Sequence, residues 1–421
     1  MKIAMIQTPL VGRGGGQRQI LKLALELQRL GHHVEIFTNA VNPEECYPDL
    51  LKNLTVNVVP HPLGSKMPRW LTPMETYRKA ADSDNEEASA LRSWMRKNMG
   101  RQFYTIPYEL PAMLNIGRKI PKGFDIINNH NYPTEWAAFY VKRRLKAPVV
   151  WMCNEPPFWF FVPELRKSLR KINWPIYEIF DRIAVDCIDE IVVLSHIAGG
   201  YVRQAYGRAA RVVRSGTDLD LYRSASGSYV REKLDLKDDF VLLQTGNLEL
   251  NKRQFDSIIA LSHLAKKYDN VKLILDGGGR REELIKLGQR LGVEDKLIVQ
   301  HTQNDRELAE VYAACDVFVF PAQITWGLAV IEAMAASKPV IVSRKCGASE
   351  IIEDGINGLL VDHARPYQIA EKVKTLMNDS RLRTKIGEKA HEYVNSHLSW
   401  QKYAKNMEAV FEQAVSSFRE R

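Results

Sequence analysis

PAQITWGLAVIEAMAASKPVIVSRKCG, Pro321 to Gly347, reads as the end of one strand, a loop, a helix and a second strand. Just before it, Val317–Phe320 (VFVF) forms a short buried strand that stops at Pro321. Gly327 opens a helix with Leu328, Ile331, Met334 and Ala335 at apolar spacing; Lys338-Pro339 ends it, and PVIVS begins the next strand. A helix that opens at a glycine directly after a strand offers backbone N–H groups to an anion. Glu332 is the one acid in this small, apolar helix. It is either a solvated helix residue or a group that holds a pair of sugar hydroxyls.

The same alternation extends outward in both directions. KIAMIQ, an amphipathic helix at Gln19–Leu30, HVEIF, TVNVV, DIIN, PVVWM, EIVVL and RVVR come earlier in the chain. FVLLQ, VKLIL and KLIVQ follow, before VFVF and PVIVS. Strand-like runs separated by helical patterns imply parallel sheets covered on both faces, an α/β class. The 421 residues suffice for two ordinary domains. The first half ends near Tyr206-Gly207 or at the polar stretch Ser224–Ser228. The first boundary gives domains over residues 1–206 and 207–395, with the remainder, 396–421, a C-terminal helix expected to pack back on the first domain.

Hydrophobic residues make up 45% of the chain and charged ones 26%, a globular profile. Lys and Arg (59) outnumber Asp and Glu (50), for a net +9. That balance fits an anionic ligand, a membrane surface or nucleic acid equally well. No basic–aromatic repeat or zinc-finger spacing supports a nucleic-acid partner. Cys46, Cys153, Cys187, Cys315 and Cys346 are scattered and lack metal spacing, as expected of reduced thiols in a cytoplasmic protein. MKIAMIQT reads as a first strand rather than a signal peptide, and no apolar run is long enough to span a bilayer.

Two stretches break the alternation. Gly64–Leu114 mixes Pro, Met, Trp, Tyr and basic residues, with a helix expected over Ser83–Met99. It is either a lid with its aromatics turned inward or a surface for a membrane or acceptor. Pro156–Trp174 sets an aromatic cluster beside Arg166, Lys167, Arg170 and Lys171: a membrane-facing amphipathic helix or a solvated basic one.

Several turns could carry chemistry. Gly12-Arg13-Gly14-Gly15-Gly16-Gln17 follows the first strand and leads into a helix, so its backbone could approach a ligand closely. It matches neither a Walker loop nor the dinucleotide spacing. Thr245-Gly246-Asn247, with Asn251-Lys252-Arg253 behind it, repeats the theme; Lys252 and Arg253 at a helix start oppose its dipole unless an anion sits there. Asp276-Gly277-Gly278-Gly279 is a third such turn. His130 and Glu155 follow strands DIIN and PVVWM. Each is either a structural polar residue or, with Gly14–Gly16, one wall of a cleft at the carboxyl edge of the sheet.

Taken together these segments resemble the retaining glycosyltransferases of family 4. The resemblance rests on GGGQRQILKLALELQRLGHHVEIFT, GN…NKR, LILDGGG and VYAACDVFVFPA, then WGLAVIEAMAASKPVIVS and GASEIIEDGINGLLV. It runs over nearly the whole chain, strongest from Phe240 to Asp362 and weakest from Gly64 to Leu114. It implies the GT-B fold, two Rossmann-like domains with parallel sheets facing across a cleft. It also implies transfer of a sugar from a nucleotide-diphosphate donor to a glycan or lipid-linked acceptor, without a metal or other cofactor. By position, Gly15 and Gly16 would approach the donor phosphates, and Gly327 and Leu328 would present N–H groups to the diphosphate. Lys252 would neutralise the leaving group and Glu332 would hold the ribose. Gly246, Asn247, Arg253 and Gly277 would complete the donor side. His130, Asn154 and Glu155 would lie on the acceptor side, with Asn154 at a catalytic position.

Three positions depart from the family pattern. Ile324 stands where a glutamate near the donor sugar is usual, Asn247 where an arginine is, and Asn154 where a histidine is. An aliphatic residue cannot hydrogen-bond a hydroxyl, and an amide cannot act as a base near neutral pH. Two readings follow. One is a hexosyltransferase of surface polysaccharide or glycolipid synthesis, cytoplasmic or at the inner face of a membrane. The other is a non-catalytic relative that binds a nucleotide sugar or a partner. An epimerase on the same fold lacks a convincing set of acid–base residues.

Overall fold

The computed structural model describes residues 1–62, 109–156, 174–302 and 304–421. They form two compact units: Met1–Val193 with Gly200–Arg211 and Met407–Arg421, and Leu194–Gly199 with Val212–Asn406. The helix expected over Ser83–Met99 and the basic–aromatic run at 157–173 lie outside the described residues. Residues 109–119, taken from sequence as partly irregular, are helical.

The first sheet has seven strands: β1 Lys2–Gln7, β2 His33–Thr38, β3 Thr55–Val58, β4 Ile126–His130, β5 Val149–Met152, β6 Glu190–Val193 and β7 Arg211–Val212. Their order is β3-β2-β1-β4-β5-β6-β7. Ile3, Ala4, Met5 and Ile6 are all buried, so β1 is covered on both faces, which is why its sequence is continuously apolar. The register sets Gln7 opposite His130, and His130 opposite Met152. These strands therefore end at one edge.

Helix α1, Gly15–Arg29, begins four residues before the expected Gln19. Glycine is a poor helix former, but Gly14 takes an extended N-cap conformation and its carbonyl accepts from Arg18 N at 3.0 Å. Ile20, Leu21, Leu23, Ala24 and Leu27 then bury the inner face against the sheet. Gly15 and Gly16 thus form the first turn of the helix, while Gly12 and Gly14 precede it. Helices α2, Ala138–Leu145, and α3, Trp174–Asp186, pack together on this unit, and α4 runs from His196 to Tyr206.

The second sheet has six strands: β8 Phe240–Thr245, β9 Val271–Asp276, β10 Leu297–Gln300, β11 Val317–Phe320, β12 Val340–Ser343 and β13 Leu359–Val361. Their order is β10-β9-β8-β11-β12-β13 and every neighbouring pair is parallel. Leu242, Leu273, Val319 and Ile341 join Ile258 and Leu261 of α5, Gln254–Ala265, in one core. Helix α6, Leu328–Ala335, fills the crossover from β11 to β12. The sequence reading gave β13 no strand of its own. Its three residues are too few to show periodicity, and pairing with β12 at the sheet edge defines them.

The last helix, α7, spans Trp400–Arg419. Tyr403, Ala404, Met407, Val410, Phe411 and Ala414 recur at three- and four-residue spacing along its buried side. From Met407 onward it belongs to the first unit, where Glu408 Oε1 meets His32 Nε2 at 2.6 Å.

Candidate functional site

In the second unit, polar groups collect at the carboxyl ends of β8, β9 and β11. β8 runs into Gly246, whose φ of +120° only glycine adopts at low cost. Gly246 N donates to Asp276 O at 2.9 Å and Leu248 N to Gly278 O at 2.8 Å, knitting this turn to the one after β9. A Cβ on Gly277 would lie 2.1 Å from the Gly246 carbonyl oxygen. Close packing of the two backbones, rather than room for a ligand, explains that glycine. Asn247 is exposed, and its carbonyl accepts from Gln254 Nε2 at 3.0 Å.

The two adjacent cations separate. Arg253 sits in the left-handed region at φ +55°, with Nε 2.6 Å and Nη2 3.0 Å from the two oxygens of buried Asp256. Two of its five N–H donors are thus held by an internal ion pair, which ties its guanidinium to the start of the helix. Lys252 ends the short turn Leu250–Lys252, is half-buried, and no carboxylate among the described residues pairs with it. Its Nζ stands 5.8 Å from the centre of the Phe320 ring. Burial pushes the Cys346 thiol up to about 12, and Lys252 is among the charges that pull it back. A Cβ on Gly327 would lie 3.0 Å from the same sulfur. Lys252 and the opening of α6 therefore converge on one place.

Gly327 caps α6 with φ +144° and no side-chain cap, leaving the first N–H groups of the helix to solvent or a ligand. Leu328 is half-buried and Val330, Ile331, Met334 and Ala335 are buried. Glu332 is only 5% exposed, which excludes a solvated helix residue. Its Oε2 accepts from the Tyr312 hydroxyl at 2.9 Å, and that hydroxyl lies 2.6 Å from Thr245 Oγ1. Burial, reinforced by the neighbouring carboxylate, holds the Tyr312 phenol well above its ordinary value, so it stays a donor. A cation, a helix N-terminus and a buried carboxylate one turn on suit an anion flanked by a hydroxyl pair.

The first unit carries an uncharged counterpart at the ends of β1, β4 and β5. Asn154 Nδ2 donates to Gln19 Oε1 and to Asn131 Oδ1, both at 2.5 Å. Asn131 Nδ2 donates to Gln7 Oε1 at 3.0 Å. Gln7 Nε2 and Asn154 Oδ1 are buried with no partner among the described residues. Gly15 is exposed in the first turn of α1, and a Cβ on Gly16 would meet Asn131 Nδ2 at 2.8 Å. The glycine thus lets α1 close on the amide cluster.

His130, expected on this edge, is instead wholly buried, with Nε2 2.7 Å from Asn128 Oδ1. Burial lowers its pKa to about 3, so it is neutral. Its neighbour Asn131, half-buried where the chain leaves the strand, joins the amide cluster instead. Glu155 is exposed one residue beyond Asn154. Sequence reasoning missed Gln7, Gln19, Asn131 and Tyr312. Asn131 lies in INNHNY, next to the residue singled out there; the others carry no local signal, since long-range packing assembles them.

Comparison with known proteins adds the following. A family profile described as "Glycosyl transferases group 1" matches residues 229–393, and one described as "Glycosyl transferase 4-like domain" matches residues 14–216. The "Spore coat protein SA" of Bacillus subtilis (strain 168) is 27% identical over 302 residues, covering 64% of this chain and 79% of its own. The "D-inositol 3-phosphate glycosyltransferase" of Corynebacterium glutamicum (strain R) is 24% identical, covering 99% of this chain and 98% of its own. Among solved structures, Anabaena Alr3699/HepE, crystallised with UDP and glucose, superposes with a TM-score of 0.70 at 18% identity over 98% of this chain and 99% of its own.

Proposed function

The chain belongs to the group 1 glycosyltransferases and has the GT-B fold, and from this we propose that it is a retaining, metal-independent hexosyltransferase acting on a glycan or lipid-linked acceptor. The observation that carries the proposal is the convergence of Lys252, the α6 N-terminus at Gly327 and Leu328, and buried Glu332. The donor diphosphate lies against Lys252 and the α6 amides, which offset its growing negative charge as it leaves. Glu332, with one oxygen fixed by Tyr312, accepts from the ribose hydroxyls. That Anabaena Alr3699/HepE was crystallised with UDP-glucose supports a donor of this class.

The amides of the first unit shape the chemistry assigned to the acceptor. Asn154 and Asn131 can orient hydroxyls but cannot remove a proton, and His130 is buried and neutral. In this reading the leaving group deprotonates the acceptor. The bond from the anomeric carbon to the diphosphate oxygen breaks, the acceptor oxygen bonds the same face, and its proton passes to the departing phosphate oxygen. Glu155, exposed at the same edge, orients the acceptor. Ile324, bridged to Cys346 beside the donor loop, replaces a carboxylate by an aliphatic surface and shifts the choice of donor sugar.

No helix among the described residues is long and apolar enough to cross a membrane. A peripheral site at the inner face of a membrane is supported by the basic first unit and by exposed Tyr140, Ile179 and Ile183 on α2 and α3.

Calorimetric titration with UDP-, GDP- and ADP-sugars tests the assignment, followed by donor consumption in the presence of a membrane-lipid extract. One tightly bound sugar nucleotide that is consumed, with the anomeric configuration kept in the product, supports it. Tight binding with no consumption in any acceptor mixture favours the non-catalytic reading that Ile324, Asn247 and Asn154 motivate.

A further inference from the structure

The loop leading into α6 is held from behind by three successive carbonyls. Ile324 O accepts from Gly347 N at 2.9 Å. Trp326 O accepts from Ala348 N at 3.2 Å and from Cys346 Sγ at 2.7 Å. Between them, Thr325 O accepts from the hydroxyl of Ser195, a residue 130 positions earlier that is wholly buried. The approach is tight: a Cβ on Gly347 would lie 1.9 Å from Thr325 O and 2.8 Å from Ser195 Oγ. Ser195 Oγ also accepts from Ala198 N at 3.0 Å, so the oxygen both caps α4 and grips the loop.

In a trans peptide the carbonyl and the following N–H point in opposite directions. Holding Thr325 O therefore fixes the direction of Trp326 N–H, as the bonds on Trp326 O fix that of Gly327 N–H. We propose that Ser195 is a positioning residue for the donor diphosphate: its buried hydroxyl fixes the Thr325–Trp326 peptide and so anchors the loop that carries the N–H groups opening α6. The proposal rests on the donor reading of this loop.

A second anchor separates positioning from mere support. Glu350 accepts from His196 N at 3.0 Å and Ile197 N at 2.8 Å, and lies 3.4 Å from Arg214 Nη2. It secures the start of α4 without touching Thr325. Loss of Glu350 therefore loosens the same helix end while leaving the loop carbonyl held.

The experiment compares Ser195→Ala, Ser195→Thr and Glu350→Ala with the parent protein. It measures affinity for UDP, GDP and ADP by calorimetry, and hydrogen exchange of the Gly327–Ile331 amides without ligand. Ser195→Ala removes the hydroxyl that holds Thr325 O. It is expected to weaken nucleoside-diphosphate binding about 10-fold and to speed exchange of those amides by a similar factor. Ser195→Thr keeps the hydroxyl and is expected to stay within about 3-fold of the parent. Glu350→Ala is expected to lower the melting temperature with neither change. Parent-like affinity and exchange in Ser195→Ala would overturn the proposal, as would Glu350→Ala reproducing both effects. If the parent binds none of the three nucleotides, the donor reading falls, and exchange alone decides whether Ser195 positions the loop.

Discussion

Lys252 is the residue whose chemistry is most exposed to test. It is half-buried against Phe320 and pairs with no acid among the described residues, so removing it costs the fold little. Lys252→Ala should lower turnover by about 10²–10³-fold, as loss of one preorganised charge does. Circular dichroism should be unchanged, with a stability loss under about 1 kcal/mol. Product formation at the parent rate would remove Lys252 from the site. A second prediction concerns acids that the proposed reaction does not use. Glu135 and Asp181 are both buried; Asp181 accepts from Trp136 Nε1 at 2.8 Å and Tyr206 Oη at 2.9 Å. Burial raises both acids, Asp181 to about 6 and Glu135 well above its ordinary value, and neither Glu135 carboxyl oxygen has a hydrogen-bond partner among the described residues. The folded chain binds these protons more tightly than the unfolded chain. Their contribution to stability is whole below about pH 4 and falls as pH rises through about 6 and beyond. Denaturant midpoints should accordingly drop between pH 5 and 8 by less in Glu135→Gln than in the parent; equal slopes would show that Glu135 is not the group that titrates.

Turns between elements, rather than the elements themselves, fix where the site falls. Gly246 and Gly277 differ in kind although both look like ligand-loop glycines. The first is needed for its φ of +120°, with open space where a Cβ would stand; the second lies against backbone. Gly277→Ala should therefore destabilise the second unit by about 2 kcal/mol or more, because the obstacle is a carbonyl that cannot swing aside. Thermal unfolding checks this, and a change below about 0.5 kcal/mol would show that the two turns can part. Helix α1 makes the complementary point. Its Gly15 and Gly16 are helical because Gly14 caps them and Asn131 packs close, a tertiary arrangement that overrides propensity. The alternation of strands was legible because parallel strands bury both faces. β13 was not, because three residues carry no period.

Across the whole molecule the charge is unevenly shared. The first unit holds 31 of the 59 Lys and Arg and 23 of the 50 Asp and Glu, a balance of +8 out of the net +9. Exposed Tyr140, Ile179 and Ile183 lie on helices of this unit, and Arg143 stacks over Phe139 at 4.0 Å. An acidic membrane surface suits such a combination. The protein should bind vesicles containing anionic lipid, and binding should weaken several-fold between about 50 and about 500 mM salt as charges are screened. Equal binding to neutral and anionic vesicles would refute the membrane assignment.

The sequence by itself determined the fold class and the segment that organises it. The strand–helix alternation, the glycine at Gly327 and the single acid in an apolar helix are local patterns, dictated by burial on both faces of a sheet and by the open end of a helix. The order of motifs along the chain was enough to place it in its family. Only the tertiary structure decided which polar groups are committed elsewhere. It paired Arg253 with Asp256, turned His130 into the core in favour of Asn131, and brought Ser195 under Thr325. These depend on contacts between residues far apart in the chain or on the rotation of a strand end. Spacing cannot reveal them, because hydrogen-bond partners are chosen by the packed backbone rather than by sequence neighbours.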